Sequence, residues 1–329
     1  IAAIIGKAMP LGGLSMIAIV LVAASHVTSD NPGEAIKDAL SSFSSPLIWL
    51  IAVAVMISRS LTKTGLGARI GYYVISLFGK RTLGIGYSLA LSELILAPVT
   101  PSNTARGGGI IHPIMLSIAH SFGSTPQANS TGKIGKYLAL VNYHANPITS
   151  AMFITATAPN PLTVQLIAEA TGAAISLSWT TWALAMLLPG LVAIALMPLI
   201  LYLLYPPEIK NTPDATTFAQ DRLTALGAIN RNEKITLGVF LILLLLWADI
   251  PMRLLGPVFQ LDATTTAFIG LSILLLTGVL TWQDILGEKT AWDTLIWFGA
   301  LVMMASQLNQ LGVIAWFSGT MRDIIADTG

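Results

Sequence analysis

The sequence has 329 residues, of which 54% are apolar and only 10% are charged. A soluble domain carries about 25% charged residues. A mean hydropathy of +0.74 therefore argues against ordinary soluble catalysis, and seventeen Lys and Arg against sixteen Asp and Glu leave no basic excess for nucleic acid. Cysteine is absent, which removes disulfide frameworks, thiolate nucleophiles and Cys-based metal sites. Ile1 lies in an apolar run with no basic stretch before it, so the beginning reads as the interior of a longer protein and not as a signal peptide.

A helix needs about 20 mostly apolar residues to cross roughly 30 Å of hydrocarbon. In chain order, spans are expected at 4–25, 46–61, 134–158, 181–205, 235–250, 267–282 and 294–311. Between 79 and 121 lies an apolar stretch too long for one span, broken in its middle by Pro98, Pro101 and the triplet Ser102, Asn103, Thr104. It reads as a re-entrant hairpin of two helices, 82–121. From Lys63 to Lys80, the positions Leu66, Ile70, Tyr73, Val74 and Leu77 recur at helical spacing, which suits a helix lying in the interface. The alternative is a continuation of the preceding span.

Lys and Arg accumulate on the cytoplasmic side of spanning helices. Arg59, Lys63, Arg69, Lys80 and Arg81 precede the hairpin, and Lys133 and Lys136 follow it, so it enters and leaves by one face. Lys210, Arg222, Arg231, Lys234 and Lys289 fall on the same side, making twelve against Lys37, Arg253 and Arg322 opposite.

An internal repeat is visible. Leu47-Ile48-Trp49 recurs as Leu295-Ile296-Trp297, with Ala52, Met56 and Ser58 matching Ala300, Met304 and Ser306, and Gly65 meeting Gly312 after a one-residue gap. Upstream, Gly13-Leu14-Ser15 matches Gly270-Leu271-Ser272. The expected topology separates the copies by an odd number of crossings, so they are inverted, the usual build of secondary transporters. The hairpin's counterpart would fall near residue ~350, so a second hairpin and final helices are expected beyond this sequence, and one or two helices before it. The domain reading is 1–81 as first-repeat scaffold and interfacial arm, 82–205 as the transport part, 206–233 as a cytoplasmic linker and 234–329 as second-repeat scaffold.

A helix break at membrane depth is tolerated only where it lines a cavity or is buried in protein. Ser102 or its neighbour can cap the returning helix, whose positive end attracts carboxylate or phosphate. Ser102, Asn103 and Thr104 add hydroxyl and amide donors, each charge-assisted bond contributing about 1.5–3 kcal/mol. Gly107, Gly108 and Gly109 permit close backbone approach. No strand precedes them and no suitably placed Lys follows, so they are not a phosphate loop. A second break is expected at Thr157, Ala158, Pro159, Asn160 and Pro161, with Thr157 as a further substrate contact and Asn160 either contacting substrate or stabilising the hairpin tip. Asn142, His144 and Asn146 lie nearer the middle of that helix, and His144 reads as a donor to a neighbouring carbonyl, with a proton or carboxylate ligand as the alternative. Glu93 and Arg106, on opposite arms, either pair with each other or leave Arg106 to meet an anion. His112 and His120 read as packing residues, with no metal site expected.

The run Ala97-Pro98-Val99-Thr100-Pro101-Ser102-Asn103-Thr104-Ala105-Arg106, with Ser92-Glu93-Leu94-Ile95-Leu96 upstream, resembles the divalent anion:sodium symporter family. It is most similar to the exchanger branch, the bacterial citrate/succinate and tartrate/succinate antiporters and the plastid 2-oxoglutarate/malate translocator. The resemblance implies an all-α membrane protein, an inverted-repeat elevator-type transporter in which a hairpin-bearing domain slides against a homodimeric scaffold. It implies Ser102, Asn103 and Thr104 as carboxylate ligands and an unwound segment around Asn160. Sodium-coupled relatives place a hydroxyl four positions ahead of the motif serine, where Pro98 offers none, so a sodium ion is not favoured and no other cofactor is expected.

The resulting expectation is an antiporter of di- or tricarboxylates (succinate, malate, tartrate, citrate or 2-oxoglutarate) in a bacterial inner membrane, with the lipid bilayer and a second copy as partners. Sodium- or proton-coupled symport is the alternative. A membrane-embedded enzyme would need a nucleophile, metal cluster or paired carboxylates, and none stands at a suitable spacing.

Overall fold

The computed structural model describes residues 6, 8–172, 174–175 and 177–328. Among them no β-strand forms, as expected where lipid leaves backbone groups to pair within their own segment. The helices in chain order begin with α1 (Leu11–Ala24), α2 (Pro32–Leu40), α3 (Pro46–Thr64), α4 (Leu66–Phe78), α5 (Thr82–Leu96) and α6 (His112–Ser121). Next come α7 (Gly135–Met152), α8 (Pro159–Ala170), α9 (Trp179–Leu204), α10 (Pro213–Leu226) and α11 (Arg231–Trp247). The remainder are α12 (Ile250–Leu255), α13 (Ala263–Leu276), α14 (Trp282–Gly287), α15 (Lys289–Gln310) and α16 (Val313–Thr328).

Two compact units form, one from residues 1–53 and 288–329, the other from 54–287. In the first, Ile19 of α1, Ala39 of α2, and Ala300 and Met303 of α15 bury one another, with Phe43 and Val22 against them. Asn31 starts α2 by accepting the Gly33 N–H at 2.8 Å. α15 and α16 bend by 66°. The repeat-matched glycines share a conformation: Gly65 (φ 81°) follows α3 and Gly312 (φ 76°) follows α15, each a left-handed residue that stops its helix. Gly65 thus separates α4 from α3, so α4 is not a continuation of that span.

In the second unit, the segment after α9 ties three chain ends together. Thr212 N–H donates to Lys80 C=O (2.9 Å), Thr82 N–H to Lys210 C=O (3.0 Å), Glu208 N–H to Gly132 C=O (3.0 Å) and Ile209 N–H to Lys133 C=O (3.1 Å). The foot of α5, the chain just past α6, the start of α7 and the end of α9 therefore share one end, where Lys80, Arg81, Lys133 and Lys210 gather. The 206–233 stretch is not merely a connection: it contains α10, with Ala215 and Ala219 fully buried and Phe218 edge-on to Tyr72 of α4 at 6.4 Å. Arg69 of α4 grips Glu233 at 2.6 and 3.1 Å and the carbonyls of Gly227 and Leu226. Burial would raise the Glu233 carboxyl, but Arg69 and the Asn230 N–H outweigh it and hold the group below the usual range.

Two expectations change, and a third, that of α4, gains detail. α4 buries Leu66, Gly67, Gly71, Val74 and Ile75, while Tyr73 and Leu77 face outward. The bare glycines let the hairpin approach: a Cβ at Gly67 would fall 2.9 Å from Ile110, and one at Gly71 2.5 Å from Ile114. The second break falls at Phe153–Ala158, four residues earlier than expected, because Pro159 and Pro161 sit in the first turn of α8, where a missing N–H costs nothing. Finally, three helices are long and apolar enough to cross a membrane by length and composition among the described residues, α3, Thr82–Val99 and α9, with the bent α15–α16 pair as a fourth. The 4–25 span begins partly outside the described residues and forms only the 14-residue α1, α13 has 14 residues, and α7 carries Asn142, His144, Asn146 and Pro147. α9 turns much of its apolar surface outward, with Leu184, Leu188, Leu203 and Leu204 each at least 65% exposed, a band suited to hydrocarbon and not to water.

Candidate functional site

The hairpin tip follows from its prolines. Pro101 pushes Thr100 into extended geometry (φ −120°, ψ 95°), and α5 ends through a single tight turn, Ala97–Val99. Ser102 then starts the return, its Oγ accepting the Ala105 N–H at 3.2 Å and its carbonyl the Arg106 N–H at 3.0 Å. Asn103 Oδ1 accepts the Thr104 N–H at 2.8 Å. From Thr104 to Ile111 the helix is a wide-turn π-helix before becoming α6, a geometry that recurs at functional sites.

Arg106 lies beneath the tip with no exposure. Guanidinium carries five N–H donors, and each meets an acceptor. Nε donates to Glu93 Oε1 (2.8 Å), Nη1 to the carbonyls of Thr100 (2.7 Å) and Ala156 (3.2 Å), and Nη2 to Ser150 Oγ (2.8 Å) and, at 3.4 Å, Thr149 Oγ1. One side chain thus joins both helix breaks. Glu93, equally buried, also accepts from Asn146 Nδ2 at 2.6 Å. Asn146 in turn holds the Asn103 carbonyl at 2.9 Å, and Thr155 donates to the Pro98 carbonyl at 2.6 Å. Gly107 is required here, because a Cβ would stand 2.5 Å from Asn146 Nδ2; Gly108 and Gly109 face open space.

Beside this web is a cavity of about 400 Å³ lined by Asn103, Thr104, Gly107 and Gly108 of the hairpin, His112 of α6, and Asn142, Tyr143, Asn146 and Pro147 of α7. None of these is Lys, Arg, Asp or Glu. The Asn103 Nδ2 group has no acceptor among the described residues, and the buried Asn142 Oδ1 has no donor. The cavity brings Asn103 and Thr104 together. It does not include Ser102, which caps the return, nor Thr157 and Asn160. Asn160 instead donates from Nδ2 to the carbonyls of Ser150 (2.7 Å) and Phe153 (2.9 Å), satisfying the end of α7. Glu93 and Arg106 pair with each other, and Arg106 keeps no donor free for an anion.

The lining also holds Asn142, Asn146 and His112, which the sequence does not mark as substrate contacts. Asn142 and Asn146, four apart on one face of α7, carry the signal of a polar stripe. His112, read as packing, faces the cavity. His144 meets the Leu140 carbonyl at 2.8 Å. Among the described residues no group of three His, Asp or Glu could hold a metal ion.

Apolar helices with a polar break at Ser102, Asn103 and Thr104 define, among the described residues, a membrane-protein class, and the comparisons place the chain within it. The chain belongs to the family described as sodium:sulfate symporter transmembrane region, whose model matches residues 1–328. YflS of Bacillus subtilis (strain 168), whose name proposes malate as its cargo, is 48% identical over 98% of this chain and 64% of its own length. Dicarboxylate transporter 1, chloroplastic, of Spinacia oleracea is 42% identical over 100% of this chain and 55% of its own. The L-tartrate/succinate antiporter of Escherichia coli (strain K12) is 39% identical over 85% of this chain and 55% of its own. The chain thus spans between half and two thirds of these relatives.

Proposed function

We propose that the whole protein exchanges dicarboxylates across a bacterial inner membrane, one carboxylate of the substrate seating in the cavity at the hairpin tip. The observation that carries this reading is an uncharged, donor-bearing cavity at a helix break, next to an arginine whose charge is already matched by Glu93. A carboxylate there takes hydrogen bonds from Asn103 Nδ2, Thr104 Oγ1 and the His112 ring and faces the N-terminal end of the returning helix. At about 1.5–3 kcal/mol for each charge-assisted bond, two or three are needed to offset removal of the anion from water. A neutral cavity is also easily vacated, which suits exchange. The names of the relatives supply the substrate class, and the antiporter among them favours exchange.

In this reading the hairpin and α7 to α9 form the transport part and move as a unit, Arg106 joining the hairpin to α7 and Trp182 joining α9 to α7 through the Ala151 carbonyl, while repeat-related helices form the scaffold of a homodimeric elevator. The matched glycines Gly65 and Gly312 support the inverted repeat, which assigns the second carboxylate's donors to the symmetric hairpin. Sodium is not required: Pro98 has no side-chain oxygen, and its carbonyl already accepts from Thr155. The whole protein in liposomes is expected to take up labelled succinate or malate only when a dicarboxylate is present inside, at a rate unchanged when sodium is replaced by choline. Uptake into empty liposomes driven by a sodium gradient would overturn the exchange reading.

A further inference from the structure

A second cavity, of about 870 Å³, lies on the outer surface of the hairpin, between α5 and α9. Its α5 wall is the stripe Leu83, Tyr87, Leu91 and Leu94, and its α9 wall includes Leu191 and Ala195. Tyr87 Oη donates to the Ala195 carbonyl at 2.7 Å, pinning the two helices together along the groove floor. At 1.5 Å rise per residue, Leu83 to Leu94 covers about 16 Å, the hydrocarbon depth of one leaflet in a core of roughly 30 Å. Lys80 and Arg81 stand at one end only, both exposed, and no acidic residue lines the groove. None of the four ion pairs among the described residues uses either side chain. The same end gathers Lys133 and Lys210 through the backbone bonds of residues 206–212.

We propose that this groove is a binding site for an anionic phospholipid, an acyl chain lying along the Leu83–Leu94 stripe and the phosphate resting on Lys80 and Arg81. A one-leaflet apolar slot with unpaired cations at its rim matches the length and the charge of such a lipid, whereas a zwitterionic lipid gains only the apolar part. The lipid would brace the outer arm of the hairpin against α9, which ties its occupancy to the geometry of the tip. This rests on the membrane reading above.

The test uses the delipidated whole protein in detergent, titrated with dioleoyl-phosphatidylglycerol, dioleoyl-phosphatidylcholine or inorganic phosphate and followed by native mass spectrometry. Near a membrane surface each basic side chain favours an anionic lipid about fivefold, so phosphatidylglycerol is expected to bind about thirtyfold more tightly than phosphatidylcholine. K80Q/R81Q should bring that ratio close to one without altering phosphatidylcholine binding, and A195W, which fills the slot, should weaken both lipids. Equal affinity of the wild-type protein for the two lipids, a measurement that needs no variant, would overturn the site. So would an unchanged ratio in K80Q/R81Q, or competition by inorganic phosphate as strong as that by phosphatidylglycerol. Exchange of dicarboxylates in liposomes that contain both lipids is measured alongside. Exchange without lipid preference overturns the lipid site and keeps the transport reading; preference without exchange does the reverse.

Discussion

Replacing Arg106 by Gln removes the one cation that joins both helix breaks, and the structure sets the size of the effect. Arg106 and Glu93 are both 0% exposed, so solvent screening does not dilute their interaction. Removing one partner of a buried pair costs about 3–5 kcal/mol, because the remaining charge is stranded. The carbonyls of Thr100 and Ala156 and the hydroxyl of Ser150 lose a donor in the same step, and a glutamine can replace only part of that fan. R106Q and E93Q are each expected to destabilise the protein by about 3–5 kcal/mol, whereas E93Q/R106Q, which strands no charge, should fall short of their sum by about 2–3 kcal/mol. R106K should resemble R106Q more than wild type, since a lysine cannot serve the same spread of acceptors. The assay is denaturant unfolding of the whole protein in mixed micelles, run as a double-mutant cycle. Single variants costing under about 1 kcal/mol, or effects additive within about 0.5 kcal/mol, would refute the account of Arg106 as the bolt between the two breaks.

Asn103→Ala should abolish dicarboxylate exchange while costing about 1 kcal/mol of stability, the worth of its bond to the Thr104 N–H; binding and unfolding measured on one preparation separate the two. Gly107→Ala places a methyl against Asn146 and is expected to destabilise by about 1–3 kcal/mol and to lower substrate affinity, whereas Gly108→Ala, which meets nothing within 4 Å, should fold normally. Asp284 pairs with Lys63 at 2.6 Å. Burial would raise its carboxyl, but Lys63 and the Thr281 N–H and hydroxyl bring it down to about 2 from an ordinary 3.8. Its folded pKa is the lower one, so its stabilising contribution is present above about pH 4 and is lost as pH falls toward 2. With Lys63 a third exposed, D284N should cost on the order of 1 kcal/mol at pH 7. The gap between variant and wild-type melting temperatures should stay constant down to about pH 4 and close below it.

The hairpin was legible because proline acts locally. Pro98 and Pro101 in an apolar run allow no continuous helix, and the basic flanks at Lys80, Arg81, Lys133 and Lys136 marked its two feet. The capping role of Ser102 was legible for the same reason. The partners of Arg106 were not, since Ala156 and Ser150 are some fifty residues away and meet it only after α7 has packed against the hairpin. The inward face of α4 was legible only in part, since Leu66 and Val74 are buried as apolar residues whereas Gly67 and Gly71 pack by having no side chain. Asn160 suggested a substrate contact by residue type, yet its carboxamide is taken up by the carbonyls that end α7, a need visible only once the break is placed at Phe153. His112 carried no signal in an apolar arm, and its position on the cavity depends on the π-helical turn before it, which shifts the register of the face that follows.

The central claim, that the cavity at the tip seats a carboxylate, is tested most directly by determining the structure of the whole protein with succinate or malate bound. The account predicts a carboxylate oxygen within about 3.2 Å of both Asn103 Nδ2 and Thr104 Oγ1, with the Glu93–Arg106 pair intact. A substrate lodged elsewhere, or one that draws Arg106 away from Glu93 to meet it, would contradict it.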